Sequence, residues 1–145
     1  MSYPDVLARL DTMLSALAIT SPVAESIKHV YTLPPKAVTV FPCFVLVPPD
    51  SIEIERSSSA MRTETPEIRC RYMALDGGDW AAAAEIAQAF REAAIVAFDN
   101  VTLGGTGLLL DQVFGRIELG KYGGRDVLMF DMTLRIRHDT ATTFT

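Results

Sequence analysis

"VFGRIELGKYGGRDVLMFDMTL", residues 113–134, decides how this chain folds. Gly123-Gly124 stands midway between two alternating apolar runs. A two-residue hairpin turn needs left-handed backbone angles, which glycine adopts without steric cost. Centring the turn there sets Leu119 opposite Leu128, Ile117 opposite Phe130, Gly115 opposite Met132 and Val113 opposite Leu134, all on one face. On the other face Arg116 meets Asp131, and at the tip Lys121 meets Asp126. A slip of one residue would turn every apolar side chain to solvent, so the spacing predicts a closing antiparallel hairpin in this register.

Upstream, "CFVLV" (43–47) is a continuous apolar run, the pattern of a strand buried on both faces. "IEIER" (52–56) and "EIRCRYMA" (67–74) alternate strictly. In the second, Ile68, Cys70 and Tyr72 point one way and Glu67, Arg69 and Arg71 the other. Between them "SSSAMRTETP" (57–66) is small and polar, and reads as a long, mobile hairpin loop. Pairing of the two strands then sets Glu53 and Glu55 against Arg69 and Arg71 on the open side.

Helices flank these strands. Pro4 and Asp5 suit a first turn, after which Leu7, Leu10, Leu14 and Leu17 recur at helical spacing beside Val6 and Met13. Ser21-Pro22 reads as the cap and first position of a short second helix. "IKHVYTLPP" (27–35) leans toward an extended segment, because Pro34-Pro35 forbid a helix beyond them. In "DGGDWAAAAEIAQAFREAA" (76–94) and the residues after it, Trp80, Ala83, Ala87, Phe90, Ala94 and Phe98 share one arc, flanked by Ile86 and Ala97. Glu85, Gln88 and Glu92 lie opposite. The alanines let this helix lie close against a sheet. The sum is a single α+β domain over residues 1–145: an antiparallel or mixed sheet with helices packed on one face, and a flexible tail at 139–145.

Composition sets limits on function. With 145 residues, 49% hydrophobic and 21% charged, the chain has the size and balance of one globular domain. A net charge of −5 gives no counterion-release advantage on a nucleic-acid backbone, so tight DNA or RNA binding is disfavoured. Cys43 and Cys70 are too few for a disulfide framework and lack the short spacing of a zinc site, and read as buried small residues in a reducing compartment. "MSYPDVLARL" has no basic segment followed by an apolar one, so it is not a secretory signal. The apolar run at 37–49 is too short to span a bilayer and contains Pro42. These features describe a soluble, cytoplasmic protein.

The paired glycines of Asp76-Gly77-Gly78-Asp79 raise the question of a phosphate loop. A P-loop needs a lysine and a Ser/Thr at the helix start, and neither is present. Two carboxylates also occupy the positive end of the helix dipole, where a phosphate would sit. The loop starts a helix, with Asp79 or Asp76 as cap, and "LGGTG" (103–107) ends it and turns the chain. His29 and His138 form no metal-binding pattern, and His138-Asp139, placed at the frayed edge of the last strand, makes a poor catalytic pair. Glu53 and Glu55 share one solvated face, without the contrast in environment that paired catalytic carboxylates need. Asp76 and Asp79 do not follow the calcium-loop pattern. No enzymatic centre, cofactor or metal site is expected.

One further pattern spans nearly the whole chain. In "IKHVYTLPPKAVTVFPCFVLVPP" (27–49), the residues Ile27, Val30, Tyr31, Pro34-Pro35, Phe41-Pro42, Val45 and Pro48 precede an Ala-rich helix and a closing Y-G-G-R-D hairpin. This layout resembles the tail terminator proteins of long-tailed bacteriophages and, more loosely, their neck and head-completion relatives. The resemblance implies a small α+β virion protein, assembled in the host cytoplasm, that forms a ring with itself, usually a hexamer. Such a ring caps the head-proximal end of the tail tube and joins it to the neck. Its partners are the tail tube protein and a neck or head-completion protein. Genome DNA passes through the lumen without specific binding, and no membrane is involved. Six copies would carry about −30, a lumen charge that repels DNA. The expected contact surface is the loop and the hairpin after it: Ser57, Ser58, Ser59, Met61, Arg62, Arg69 and Arg71. The alternatives are a head–neck adaptor facing the portal, and a small enzyme or ligand-binding domain with a pocket between helix and sheet.

Overall fold

A computed structural model describes residues 3–49, 52–56, 61–75, 77–99, 107–122 and 124–141. The elements run α1 (Tyr3–Ser15), β1 (Ala18–Ile19), β2 (Glu25–Ser26), β3 (His29–Tyr31), β4 (Cys43–Val47), β5 (Ile52–Arg56), β6 (Met61–Leu75), α2 (Trp80–Ala97), β7 (Gly107–Phe114), β8 (Glu118–Tyr122) and β9 (Arg125–Ala141). The fold is α+β. Seven strands form one mixed sheet in the order β3-β4-β6-β9-β7, with β5 beside β6 and β8 beside β9. β3 runs parallel to β4, and the other pairs are antiparallel.

Both helices pack on one face of this sheet, as their periodicity requires. Val6, Leu10 and Leu14 of α1, and Ala87, Phe90 and Ala94 of α2, meet Phe44, Leu46, Ile68, Cys70, Tyr72, Phe130, Met132, Leu134 and Ile136 in one cluster. Small alanines bring the axis of α2 close enough for Phe90 to reach the ring of Tyr72 at 5.5 Å between centroids. Asp79 caps α2, its Oδ1 accepting from the Ala82 N–H at 3.2 Å, an interaction worth about 1 kcal/mol. Trp80, expected on the buried arc, is 47% exposed, because it stands in the first turn at the margin of the core. Asp76, and 103–106 of "LGGTG", lie outside the described residues.

The closing hairpin holds the expected register at its tip. Tyr122 pairs Arg125, Lys121 pairs Asp126 and Leu119 pairs Leu128. Gly124 has φ of +79°, while Gly123 lies outside the described residues. Gly124→Val should lower stability by about 1 kcal/mol or more through the disfavoured left-handed angle, read as a lower urea midpoint at unchanged slope. Further from the turn the expected register fails. Phe114, not Gly115, faces Met132, and Val113 faces Thr133 instead of Leu134. The chain leaves the ladder between Phe114 and Glu118, with the Gly115 N–H donating to the Asp131 carbonyl at 2.8 Å. The shift turns the Phe114 ring toward the core and leaves Val113 63% exposed, which buries the larger apolar group. A second irregularity between Leu109 and Asp111 sets Leu109 opposite Ile136.

Three other expectations are corrected. Residues 61–66 are strand, not loop: Ile52 to Arg56 pair with Pro66 to Arg62 in unbroken register. Glu53 and Glu55 therefore face Thr65 and Thr63, while Arg69 and Arg71 are claimed by Val47 and Val45 on one side and Thr133 and Asp131 on the other. Ser21-Pro22 starts no helix. It lies in the bend joining β1 to β2, a short antiparallel pair that places Ile19 and Ile27 in the core. Asp139 to Ala141, assigned to a flexible tail, complete β9 against Met61 to Thr63.

Candidate assembly interface

β5 is the most exposed regular element, with all five residues open to solvent. It pairs with the first part of β6, and β9 flanks β6 on its other side, so the three form an arm extending the sheet past its helix-covered region. Ile52 and Ile54 are opposite Pro66 and Glu64, on the helix-side face of the sheet, yet are 42% and 57% exposed. Neither helix reaches them.

Polar pairing holds the arm. On the helix side, Glu64 accepts from Arg62 Nε at 3.0 Å and lies 3.6 Å from His138 Nε2, which is buried. On the opposite side, Thr63 Oγ1 donates to Asp139 Oδ1 at 2.7 Å, and Arg135 lies 2.9 Å from Asp111 and 3.7 Å from Glu53. His138 and Asp139 thus serve opposite faces of β9 and cannot act as one dyad. His138 was expected at a frayed edge; instead it continues the buried series Met132, Leu134, Ile136.

The helix-free face of the sheet divides in two. At one end Cys43, Val45 and Met73 form a second apolar cluster, covered by Val38 of the 32–42 segment and packed with Tyr31, Phe41, Tyr122 and Met129. At the other, charges line the strands. Arg71 makes a two-pronged bond to Asp131, Nε to Oδ1 at 2.8 Å and Nη2 to Oδ2 at 3.1 Å, which pushes its pKa up. Arg116, expected opposite Asp131, pairs with Glu118 instead.

The expected contact residues are therefore divided. Met61, Arg69 and Arg71 project from the helix-free face, and Arg62 from the other. Arg71 is committed to Asp131, Met61 is at the start of the arm, and Ser57, Ser58 and Ser59 lie outside the described residues. Ile52 and Ile54 escaped notice because strict alternation signals a face buried by its own domain. Nothing in "IEIER" reveals that the covering helix ends short of it.

Both cysteines are free, buried thiols. Burial pushes Cys43 up to about 12, and pushes Cys70 and the Tyr72 hydroxyl up as well. An unfolded chain ionises its cysteines near 9.0. Above that pH it binds fewer protons than the folded protein. Stability is therefore complete below pH 9 and falls as pH rises toward 12, by up to about 1.4 kcal/mol per pH unit for each group. Urea midpoints at about pH 8 and pH 10.5 should show a smaller alkaline loss in Cys43→Ala than in the wild type, and equal losses would contradict the assignment.

Among the described residues no group of three His, Cys, Asp or Glu side chains is placed to hold a metal ion, and no helix is long and apolar enough to cross a membrane. No protein-family model matches the chain, and comparison with curated protein sequences finds no match.

Proposed function

We propose that this protein is a ring-forming virion protein of the tail terminator kind, which caps the head-proximal end of a phage tail tube and joins it to the neck. The observation that carries this reading is the exposed β5 arm, with Ile52 and Ile54 on an edge strand that pairs on one side with β6. An edge of this sort offers unpaired backbone groups to another chain, and monomeric proteins ordinarily blunt it. The α+β layout and the 27–49 pattern support the same assignment, and the acidic balance suits a channel that passes DNA without holding it. The function is assembly, with no reaction assigned to any residue.

Mass measurement of the purified protein, alone and mixed with tail tube protein, tests the proposal. A ring in either condition is expected, with capture by tail tube protein separating a terminator from a head–neck adaptor. A monomer in both would overturn it.

A further inference from the structure

A cleft of about 300 Å³, open on one side, lies between the first turns of α2 and the Phe41-Pro42 corner. Pro42, Ala74, Ala82, Ala83 and Ile86 give it apolar walls. Among the described residues that line it, the charged groups are two carboxylates, Glu25 and Asp79. Glu25 Oε1 accepts from the Ser26 N–H and lies 3.3 Å from Lys28 Nζ, and Asp79 Oδ1 accepts from the Ala82 N–H. One oxygen of each acid lies outside those bonds. An apolar hole with an acidic rim is complementary to an apolar side chain with a cation beside it.

The opposite flank of the sheet presents such a group. Leu119 of β8 is 53% exposed, and Lys121, two residues on and therefore on the same face, has a side chain 78% exposed. The ion-pair partner of Lys121, Asp126, is 3.8 Å away and open to solvent, so it holds the ammonium only weakly. Cleft and leucine stand at one level of the sheet. Pro42 adjoins the Cys43–Met73 pair, Ala74 faces Leu128, and Leu128 faces Leu119. The cleft is on the β4 side of β6, and Leu119 is on the far side of β9. A neighbour set beside the first copy at the same height therefore brings one to the other. Ile52 and Ile54 do not suit the cleft, because Glu53 and Glu55 beside them would meet its acidic rim. Size agrees: a cavity of about 150 Å³ holds benzene, so this one accommodates a leucine side chain and the stem of a lysine. We propose that the β8–β9 hairpin of one copy docks in the cleft of a second copy, Leu119 entering the apolar hole and Lys121 meeting Glu25 and Asp79. The contact rests on the ring reading above and adds a second surface on the flank that carries the β5 arm. Because it joins unlike flanks, it repeats head to tail, the arrangement that closes into a ring.

Two variants test it by mass measurement across a dilution series, in whichever condition the wild type forms a ring. Leu119→Glu spoils the hairpin and keeps the cleft; Ala82→Arg, at an exposed helix position on the wall, spoils the cleft and keeps the hairpin. Each should raise the concentration needed for assembly about tenfold or more, with a melting curve close to the wild type. An equimolar mixture of the two retains one intact contact, so it should give one-to-one dimers at concentrations where each variant alone is monomeric. Either folded variant assembling as the wild type does, or a mixture without dimers, would overturn the contact and leave the ring reading standing. A wild type that is monomeric both alone and with tail tube protein would overturn the two together. If Leu119→Glu does not fold, Ala82→Arg decides alone.

Discussion

Phe130→Ala should remove about 3–5 kcal/mol of stability, against the roughly 5–15 kcal/mol available to a domain of ordinary size. Phe130 is 1% exposed, stacks on Tyr72 with ring planes 17° apart, and meets Phe44 edge-on at 6.2 Å. Tyr72 in turn touches Phe44 and Phe90, so four rings from β4, β6, β9 and α2 share one centre. Removing the ring forfeits its transfer energy and leaves a hole that neighbours fixed in a sheet cannot fill. Urea unfolding checks this through a lowered midpoint. A loss below about 1 kcal/mol would mean that the cluster relaxes freely, contrary to close packing.

The second large effect concerns association. Replacing Ile52 and Ile54 together by lysine should convert the proposed ring to monomers while changing the thermal stability of the protomer very little. Both side chains are solvent-exposed in the single chain, and exposed substitutions ordinarily stay within about 0.5 kcal/mol. In a ring the same positions would bring like charges into a buried contact, and even one such burial is costly. Light scattering and a melting curve on the same sample separate the two results. A ring of unchanged mass would show that the arm is not the contact surface.

How much of this was legible in the residues depended on what each signal reports. Helical periodicity in 3–15 and 80–97 reports burial on one side, and the structure uses both apolar arcs against the sheet. The Tyr122–Arg125 turn was legible because a glycine pair between alternating runs admits few alternatives. Register failed between Glu118 and Phe114, because Gly115 carries no side chain to report its side of the sheet. Residues 61–66 were misread for a different reason. Arg62, Thr63, Glu64 and Thr65 are held by cross-strand and ionic partners rather than by a core, so they show no apolar period. The exposed isoleucines of β5 and the buried His138 share a cause: both depend on which parts of one sheet face the folded domain covers, which is a tertiary fact. Tyr72 was legible as an inward residue from its alternation, and the structure sets its ring against Phe44, Phe90 and Phe130.

The central pair of the sheet, β6 and β9, has a kinetic consequence. Its bonds join residues far apart in the chain, as with Arg71 and Asp131, 60 residues apart. Each of the two strands also belongs to a local hairpin, β5–β6 or β8–β9, of a kind that closes in about 1–10 µs. Joining these hairpins requires closing the long intervening loop that contains α2, and the entropy of that closure is spent before the shared core compensates it. Refolding should therefore be limited by the meeting of two preformed hairpins, on the millisecond-to-second scale of proteins dominated by non-local strand pairing.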